Sequence, residues 1–335
     1  MADRPRSRVA LILTGGTIEA LGRDRLDLAA YLETGERLAP GELLARVPEV
    51  ADVADVHEVP FRRLTSHAMT DVDLAELGAQ VERLLSRDEA DAVVVAQGTN
   101  TIEEVAYLLH LVLDSHRPVV VAGAMRPASA ISGDGELNLL NAVRVAADPA
   151  SVGLGVVVVL DDTIHSARDV TKATTMRTSA FCDHDAGPLG YADSDGRVVY
   201  HHRPARLHTS ATPFHVADLA ALPRVDVVVT YQGADGALID AAVAAGARGI
   251  VSGGTGSGWP TPAEVEALSR AAAAGVVVCQ ASRTGSGRVP RTPGMQARGW
   301  VASGDLQPWK ARILLRLALT QTAESDEIQR LFELY

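Results

Sequence analysis

Three hydroxyl side chains in the sequence follow apolar or alternating runs that are typical of β-strands. Thr17 ends the segment TGGT after the run VALIL, Thr99 follows VVVAQG, and Ser66 follows an alternating segment. The carboxyl ends of parallel strands meet at one edge of a sheet, where ligands bind. The three hydroxyls are therefore predicted to lie where acyl transfer could occur, although a helix cap or a plain turn would use the same residues.

One lysine and one tyrosine are candidates for activating these hydroxyls. Lys172 lies in the hydroxyl-rich segment DVTKATT, and Tyr31 lies in the long polar segment 23–40. A lysine is usually a solvated surface charge, but one held in a desolvated cleft has a lowered pKa and can act as a base. Loops as long as 23–40 are usually functional, so this one is predicted to be a lid. On residue types alone, acyl transfer by a threonine is one hypothesis among several.

Other kinds of catalytic site are not indicated by the sequence. It has no GxSxG elbow, no HExxH pair and no cluster of histidines and cysteines, so no metal and no cofactor is predicted. The glycine-rich segments SGGTGSGW and RTGSGR lack the lysine of a P-loop. Cys182 and Cys279 are far apart and without a CxxC motif, so they are predicted to be free thiols.

Charge and hydropathy narrow the range of partners. The 31 basic and 42 acidic side chains give a net charge of −11 without a basic stripe, so nucleic acid is not predicted as a partner. No apolar run approaches the roughly 20 residues of a membrane span, and the first one is too short for a signal peptide. We therefore predict a cytoplasmic protein that has no membrane partner and acts on a small molecule.

Repeated valine blocks predict the fold class. Only 4% of the residues are aromatic, and VVV blocks recur along the chain. Such near-continuous apolar strands are typical of parallel sheets covered by helices on both faces, which indicates an α/β protein. A segment with four prolines and little periodicity divides the chain. We predict a larger N-terminal α/β catalytic domain at 1–205, a linker at 206–223 and a smaller C-terminal α/β domain at 224–335.

Seven motifs, found in order along nearly the whole chain, together resemble the bacterial-type L-asparaginases. They are TGGTI, GTNT followed by Glu-Glu, GAMRP, SGDGELNLLNAV, IHSARDVTK, GADG and the C-terminal GDLQPWKARILLRLALT. The resemblance implies a two-domain asparaginase-like α/β fold and an amidohydrolase that needs no cofactor. It also implies a homo-oligomer, a dimer or a tetramer, with active sites near subunit interfaces.

The same resemblance implies roles for five residues. Thr17 matches the nucleophile, and Tyr31 on the lid matches its activator. Thr99 and Lys172 match a second hydroxyl and its base, which align and activate the attacking water or the nucleophile. Ser66 matches the serine that holds the α-carboxylate of the substrate.

The glycine turns beside the two threonines are predicted to bind the oxyanion. Backbone N–H groups of Gly15-Gly16 and Gly98-Thr99 would form a preorganised set of donors. Such donors usually contribute most to the rate of acyl transfer. Gly16 and Gly98 are therefore predicted to be substrate-binding residues.

Departures from the family pattern fall on residues that would bind the amine of the substrate. Asn100 replaces the aspartate of the family's GTDT turn, which pairs with the α-ammonium of the substrate as well as with the lysine, and Gln97 replaces the histidine before that turn. His67 and Ala68 stand where the family commonly has a short polar residue and an aspartate, and Trp259 falls where a neighbouring subunit usually offers asparagine. Exchanging a charge-assisted contact for an ordinary hydrogen bond costs about 1–2 kcal/mol or more.

These departures predict an altered substrate. We predict an amidohydrolase that prefers an amide with a blocked or missing amine, or a bulkier amide that stacks on Trp259, over free L-asparagine. Two alternatives are an ordinary L-asparaginase that tolerates Asn100 and a catalytically silent homologue that binds an amino acid or amide. The presence of Thr17 and Lys172 argues against a pure binder, because such a protein has no use for a base.

Overall fold

The fold is built from short strands joined mostly by helices, in a computed structural model that describes residues 6–335. The strands are β1 (Arg8–Leu13), β2 (Asp55–Val59), β3 (Ala92–Ala96), β4 (Val119–Ala122), β5 (Val156–Leu160), β6 (Thr163–Ser166), β7 (Thr171–Lys172), β8 (Phe181–Cys182), β9 (Gly190–Ala192), β10 (Val198–Tyr200), β11 (Val225–Val229), β12 (Gly249–Gly254), β13 (Val277–Ser282) and β14 (Val301–Ala302). The helices are α1 (Glu42–Ala45), α2 (Val50–Val53), α3 (Asp71–Ser86), α4 (Ile102–Val112), α5 (Gly135–Ala147), α6 (Ala237–Ala244), α7 (Pro262–Ala273), α8 (Pro293–Ala297), α9 (Pro308–Gln321) and α10 (Ser325–Leu334). Within the described residues, none of these helices is long and apolar enough to span a bilayer.

The chain divides into two compact units, one ending at Val216 and the other spanning Ala217–Tyr335. In the N-terminal unit, the described residues form a mixed sheet in the order β10-β9-β6-β5-β4-β3-β1-β2. The five neighbouring strands β5, β4, β3, β1 and β2 pair in parallel. Beyond β5, the strands β6, β9 and β10 each pair antiparallel with their neighbours. The C-terminal unit holds the parallel sheet β11-β12-β13-β14. The predicted α/β fold class is confirmed.

The valine blocks form the core of the N-terminal unit. Every residue of β3, β4 and β5 is buried, as expected for parallel strands that are covered on both faces. Leu11, Val94 and Val120 on the sheet belong to one apolar cluster with Leu139 and Val143 of α5. This packing holds the strand ends, and the turns that follow them, on a rigid base.

The strand register brings the candidate turns together. Leu13 at the end of β1 pairs with Ala96 at the end of β3. The N–H and Oγ1 of Thr14 both donate to the Ala96 carbonyl, at 3.0 and 3.3 Å. On the β2 side, the Leu64 N–H donates to the Thr14 carbonyl at 2.7 Å. The segments that carry Ser66 and the two threonines therefore leave the sheet at the same edge.

The segment 206–223, predicted to be a linker, contains packed residues. Phe214 is fully buried, and the Thr212 hydroxyl donates to the Leu111 carbonyl at 2.5 Å. The imidazole ring of His208 lies 4.7 Å from that of His110 on α4. These contacts anchor the first part of the segment to the N-terminal unit.

Candidate active site

Two glycine turns meet at the centre of the site. Gly16 has a φ of 96°, in the left-handed region that glycine adopts without strain. A Cβ atom added to Gly16 would lie 2.3 Å from Gly98 Cα, so no side chain fits between the two turns. Thr17 and Thr99 directly follow these glycines, so the close approach of the turns brings both threonines to one place.

Thr17 forms a hydrogen bond with the tyrosine of the predicted lid. Its Oγ1 and the phenolic oxygen of Tyr31 lie 2.9 Å apart. Thr17 is buried at the start of a 3-10 turn, and Tyr31 begins another such turn within 23–40. The Leu38 N–H donates to the Glu19 carbonyl at 2.8 Å, which ties the end of the lid to the turn after Thr17. Segment 23–40 thus places the phenol on the hydroxyl.

Thr99 forms a second pair with Lys172. The Lys172 ammonium donates to Thr99 Oγ1 at 2.8 Å and to Asn100 Oδ1 at 3.4 Å. Burial lowers the pKa of Lys172 below the ordinary value of a lysine, and the charge of Glu103 partly offsets this shift. A lowered pKa makes the neutral amine accessible nearer to neutral pH, which is the form that can act as a base.

A chain of side-chain contacts holds Ser66 against the turn that carries Thr99. The side-chain amide of Gln97 donates to Thr101 Oγ1 at 3.4 Å, and the Thr101 hydroxyl donates to the Ser66 carbonyl at 3.1 Å. A Cβ atom on Gly98 would lie 2.9 Å from Ser66 Oγ, so the glycine is needed for this approach. Gln97 therefore helps to hold Ser66 beside the turn that carries Thr99.

The N-terminal unit encloses these groups around a cavity of about 200 Å³. Nine of the ten site residues predicted from the sequence line it: Gly16, Thr17, Tyr31, Ser66, His67, Gly98, Thr99, Asn100 and Lys172. The tenth, Trp259, belongs to the C-terminal unit, where it is exposed in a turn closed by its N–H donating to the Thr255 carbonyl at 2.8 Å. The cavity has the size of a small amide.

The cavity also has an apolar rim that was not predicted. Leu28, Ala29 and Leu32 of the lid line one part of it, and Met125 and Met176 line another. Leu28, Leu32 and Met176 are exposed, which is unusual for large apolar side chains clustered in one place. The run LDLAAYL inside a polar loop is the sequence signal that would have revealed this rim. These side chains are suited to contact the carbon skeleton of a ligand.

The charges of the cavity are one-sided. Among the described residues that line it, Lys172 and His67 carry basic groups and none carries a carboxylate. Position 100 is an exposed neutral asparagine. A ligand carboxylate therefore finds hydroxyl and amine donors here, whereas a ligand ammonium finds no negative partner on these walls.

Comparisons with known proteins agree with this geometry. The N-terminal asparaginase family model matches residues 8–206, and the model of the glutaminase/asparaginase C-terminal domain matches residues 224–332. The chain belongs to the asparaginase family. The family assignment made from the seven motifs is confirmed, and the protein is an amidohydrolase that acts on C–N bonds of amides.

Individual asparaginases are similar to this chain over most or all of their own length. An L-asparaginase 2 of Escherichia coli is 40% identical over 98% of this chain and 93% of its own. A glutaminase-asparaginase of Pseudomonas aeruginosa is 36% identical over 97% of this chain and 90% of its own. The crystal structure of a probable cytoplasmic L-asparaginase from Campylobacter jejuni superposes with a TM-score of 0.89 at 34% identity, covering 98% of this chain and 100% of that one.

Proposed function

We propose that this asparaginase-family protein hydrolyses a linear carboxamide through Thr17 and that free L-asparagine is not its preferred substrate. One observation carries the proposal. Two threonines, each hydrogen-bonded to a proton-transfer partner, line one cavity whose described walls hold no carboxylate. The paired threonines support the amide chemistry, and the missing negative charge supports the change of substrate.

In the first half of the proposed reaction, Thr17 Oγ1 attacks the amide carbonyl carbon. Its proton moves along the 2.9 Å hydrogen bond to Tyr31, which passes a proton to the leaving nitrogen. The C–N bond breaks, ammonia or an amine leaves, and an ester to Thr17 forms. Backbone N–H groups beside Gly16 and Gly98 would stabilise the oxyanion, a contribution that is large in acyl transfer.

In the second half, water hydrolyses the ester. Lys172, as the neutral amine, takes a proton from this water directly or through the Thr99 hydroxyl, and the proton returns to Thr17 Oγ1 as the carboxylic acid leaves. The 2.8 Å contact between Lys172 and Thr99 supports this route. It also argues against a silent binding protein, since binding alone gives no reason to hold a desolvated amine on a threonine.

The proposed substrate is an amide with a carboxylate near its other end and no free ammonium. Ser66 would bind the carboxylate, as the family resemblance implies. Asn100 offers an amide oxygen where a charged partner would be needed for an ammonium. The apolar rim of Leu28, Leu32 and Met176 would contact the carbon chain.

Ordinary L-asparaginase activity is the second candidate, and the relatives favour it. The similar proteins bear the names L-asparaginase and glutaminase-asparaginase. A homotetrameric assembly and a cytoplasmic location fit either candidate, and both stay predictions. A contact between Trp259 and the substrate likewise stays a prediction.

Replacing Asn100 with aspartate is expected to raise kcat/KM for free L-asparagine. The two side chains have nearly the same shape, so the variant adds a negative charge at nearly constant volume. Because Asn100 Oδ1 lies 3.4 Å from the Lys172 ammonium, the new charge should also raise the pKa of Lys172, and each protein is therefore compared at its own pH optimum. A gain of roughly 5- to 30-fold corresponds to the 1–2 kcal/mol of a charge-assisted hydrogen bond. Ammonia release measures it, and Asn100→Ala, which adds no charge, should show no gain. A folded Asn100→Asp protein without any gain would show that the specificity is set elsewhere, with His67 and Trp259 as the next residues to change.

A further inference from the structure

A buried carboxylate joins the two elements that carry the second catalytic pair. Glu103 lies in the first turn of α4, directly after the turn with Thr99, and only 7% of it is exposed. Its Oε2 accepts a hydrogen bond from Thr171 Oγ1 at 2.8 Å, and its Oε1 accepts one from the Lys172 backbone N–H at 3.3 Å. One side chain thus holds β7 to the start of α4.

These contacts close a ring through Lys172. From Thr99 the chain leads in four residues to Glu103, whose carboxylate holds the Lys172 backbone. The Lys172 side chain then returns to Thr99 Oγ1 at 2.8 Å. β7 contains only two residues and pairs with the equally short β8, so its own ladder is a weak anchor. The Glu103 carboxylate, through its two hydrogen bonds to β7, adds to this weak ladder and fixes the Lys172 backbone against α4.

We propose that Glu103 is a positioning residue that holds Lys172 on Thr99, a role that rests on the proposed function of Lys172 as the base. Glu103 does not line the cavity, so it acts through Lys172 rather than on the substrate. Positioning of this kind has large effects on rate, because displacing a reacting group by about 1 Å can cost about 100-fold.

The carboxylate also acts on the charge state of the base. Titratable groups lie on several elements around Lys172: Glu103 on α4, Cys182 on β8, which pairs with β7, and Tyr31 and His67 in the wall of the same cavity. Among these, the charge of Glu103 raises the pKa of Lys172 against the larger, lowering effect of burial. Removing this charge should therefore lower the pKa of Lys172 further.

Glu103→Gln tests the proposal by removing the charge at nearly constant size. The assay substrate is succinamic acid, which is L-asparagine without its α-amine. We expect kcat on it to fall by about 10- to 100-fold with KM nearly unchanged. The acidic limb of the kcat profile should move to lower pH, because that limb follows the protonation of Lys172. Glu136→Gln is the matched control, since Glu136 is an exposed glutamate in the first turn of α5, and it should change neither quantity.

Glu103→Asp separates the effect of side-chain length from the effect of charge. It keeps the carboxylate but is one methylene shorter, so it should lower kcat without moving the acidic limb. If Glu103→Gln fails to fold, Thr171→Val is the substitute test. It removes the hydroxyl that donates to the Glu103 carboxylate, and we expect it to lower kcat as well. Parent-like kcat in either folded variant would overturn the proposal.

A titration without turnover separates this proposal from the proposed function. The sequence contains only two lysines, Lys172 and Lys310, so the ¹⁵N-labelled side chains give two signals to follow by NMR. The Lys172 midpoint should lie at lower pH in Glu103→Gln than in the parent, and identical midpoints would overturn the role of Glu103. A parent that released no ammonia from any amide would contradict the proposed function, while this titration would still decide on Glu103.

Discussion

Thr17→Ala is expected to lower kcat on succinamic acid by about 10⁴-fold or more, the scale seen when a nucleophile is removed from an enzyme of covalent acyl transfer. The variant loses the oxygen that would form the acyl ester, and the phenol of Tyr31 loses its partner at 2.9 Å. Ser66, which is proposed to bind the carboxylate of the ligand, is unchanged. Succinate, the product, should therefore bind within about threefold of the parent affinity, since uniform binding survives when only a transition-state contact is lost.

Thr17→Ser is the matched variant for this prediction. It keeps a hydroxyl at the same place and should retain a substantial part of the activity. Ammonia release and calorimetric titration with succinate measure the two quantities. An alanine variant that keeps more than about a tenth of the parent kcat would assign the nucleophile to another group, with Thr99 as the first to examine.

Lys172→Met is expected to lower kcat by about 10³-fold, within the range that a general base contributes. Methionine has a similar length and apolar stem but cannot accept a proton or donate to Thr99. In the parent, protonation of Lys172 removes its lone pair, so activity should be lost as the pH falls through the pKa of Lys172. Because burial lowers that pKa, activity should persist to lower pH than an ordinary lysine would allow. The methionine variant should lack this acidic limb.

Lys172→Arg distinguishes a base from a mere positive charge. Arginine keeps the charge but does not lose its proton at accessible pH, so it should be as inactive as methionine. Rates across the pH range measure the difference. An arginine variant within about threefold of the parent would show that the site needs the charge of Lys172 and not its basicity.

Much of the site follows from local sequence signals. Apolar runs that stop at glycine and threonine predicted where the strands end, and the paired ends of β1 and β3 confirm that the two turns share an edge. The valine blocks predicted buried parallel strands for the same reason, because only strands covered on both faces are apolar throughout. The strand ends and the burial of the strands could be predicted because both are encoded by residues adjacent in the sequence.

Other features depend on contacts between distant segments. The fit of Gly16 against Gly98 requires two turns to meet that are about 80 residues apart. In the sequence, Glu103 is an ordinary acidic residue in the first turn of a helix, where its charge interacts favourably with the helix dipole. Its contacts with Thr171 and Lys172 appear only once β7 is placed beside α4. The apolar rim is of the same kind: the polar composition of 23–40 predicts a solvated loop, whereas its fold brings Leu28 and Leu32 to the cavity.

The most direct test of the proposed substrate is a comparison of ammonia release by the parent protein from succinamic acid and from free L-asparagine. The two compounds share the amide and the carboxylate and differ only in the α-amine. With Asn100 in place of a charged partner, kcat/KM should be higher for succinamic acid by about tenfold, a difference of about 1.4 kcal/mol. A preference of that size for L-asparagine would contradict the shift in specificity and leave ordinary L-asparaginase activity as the function.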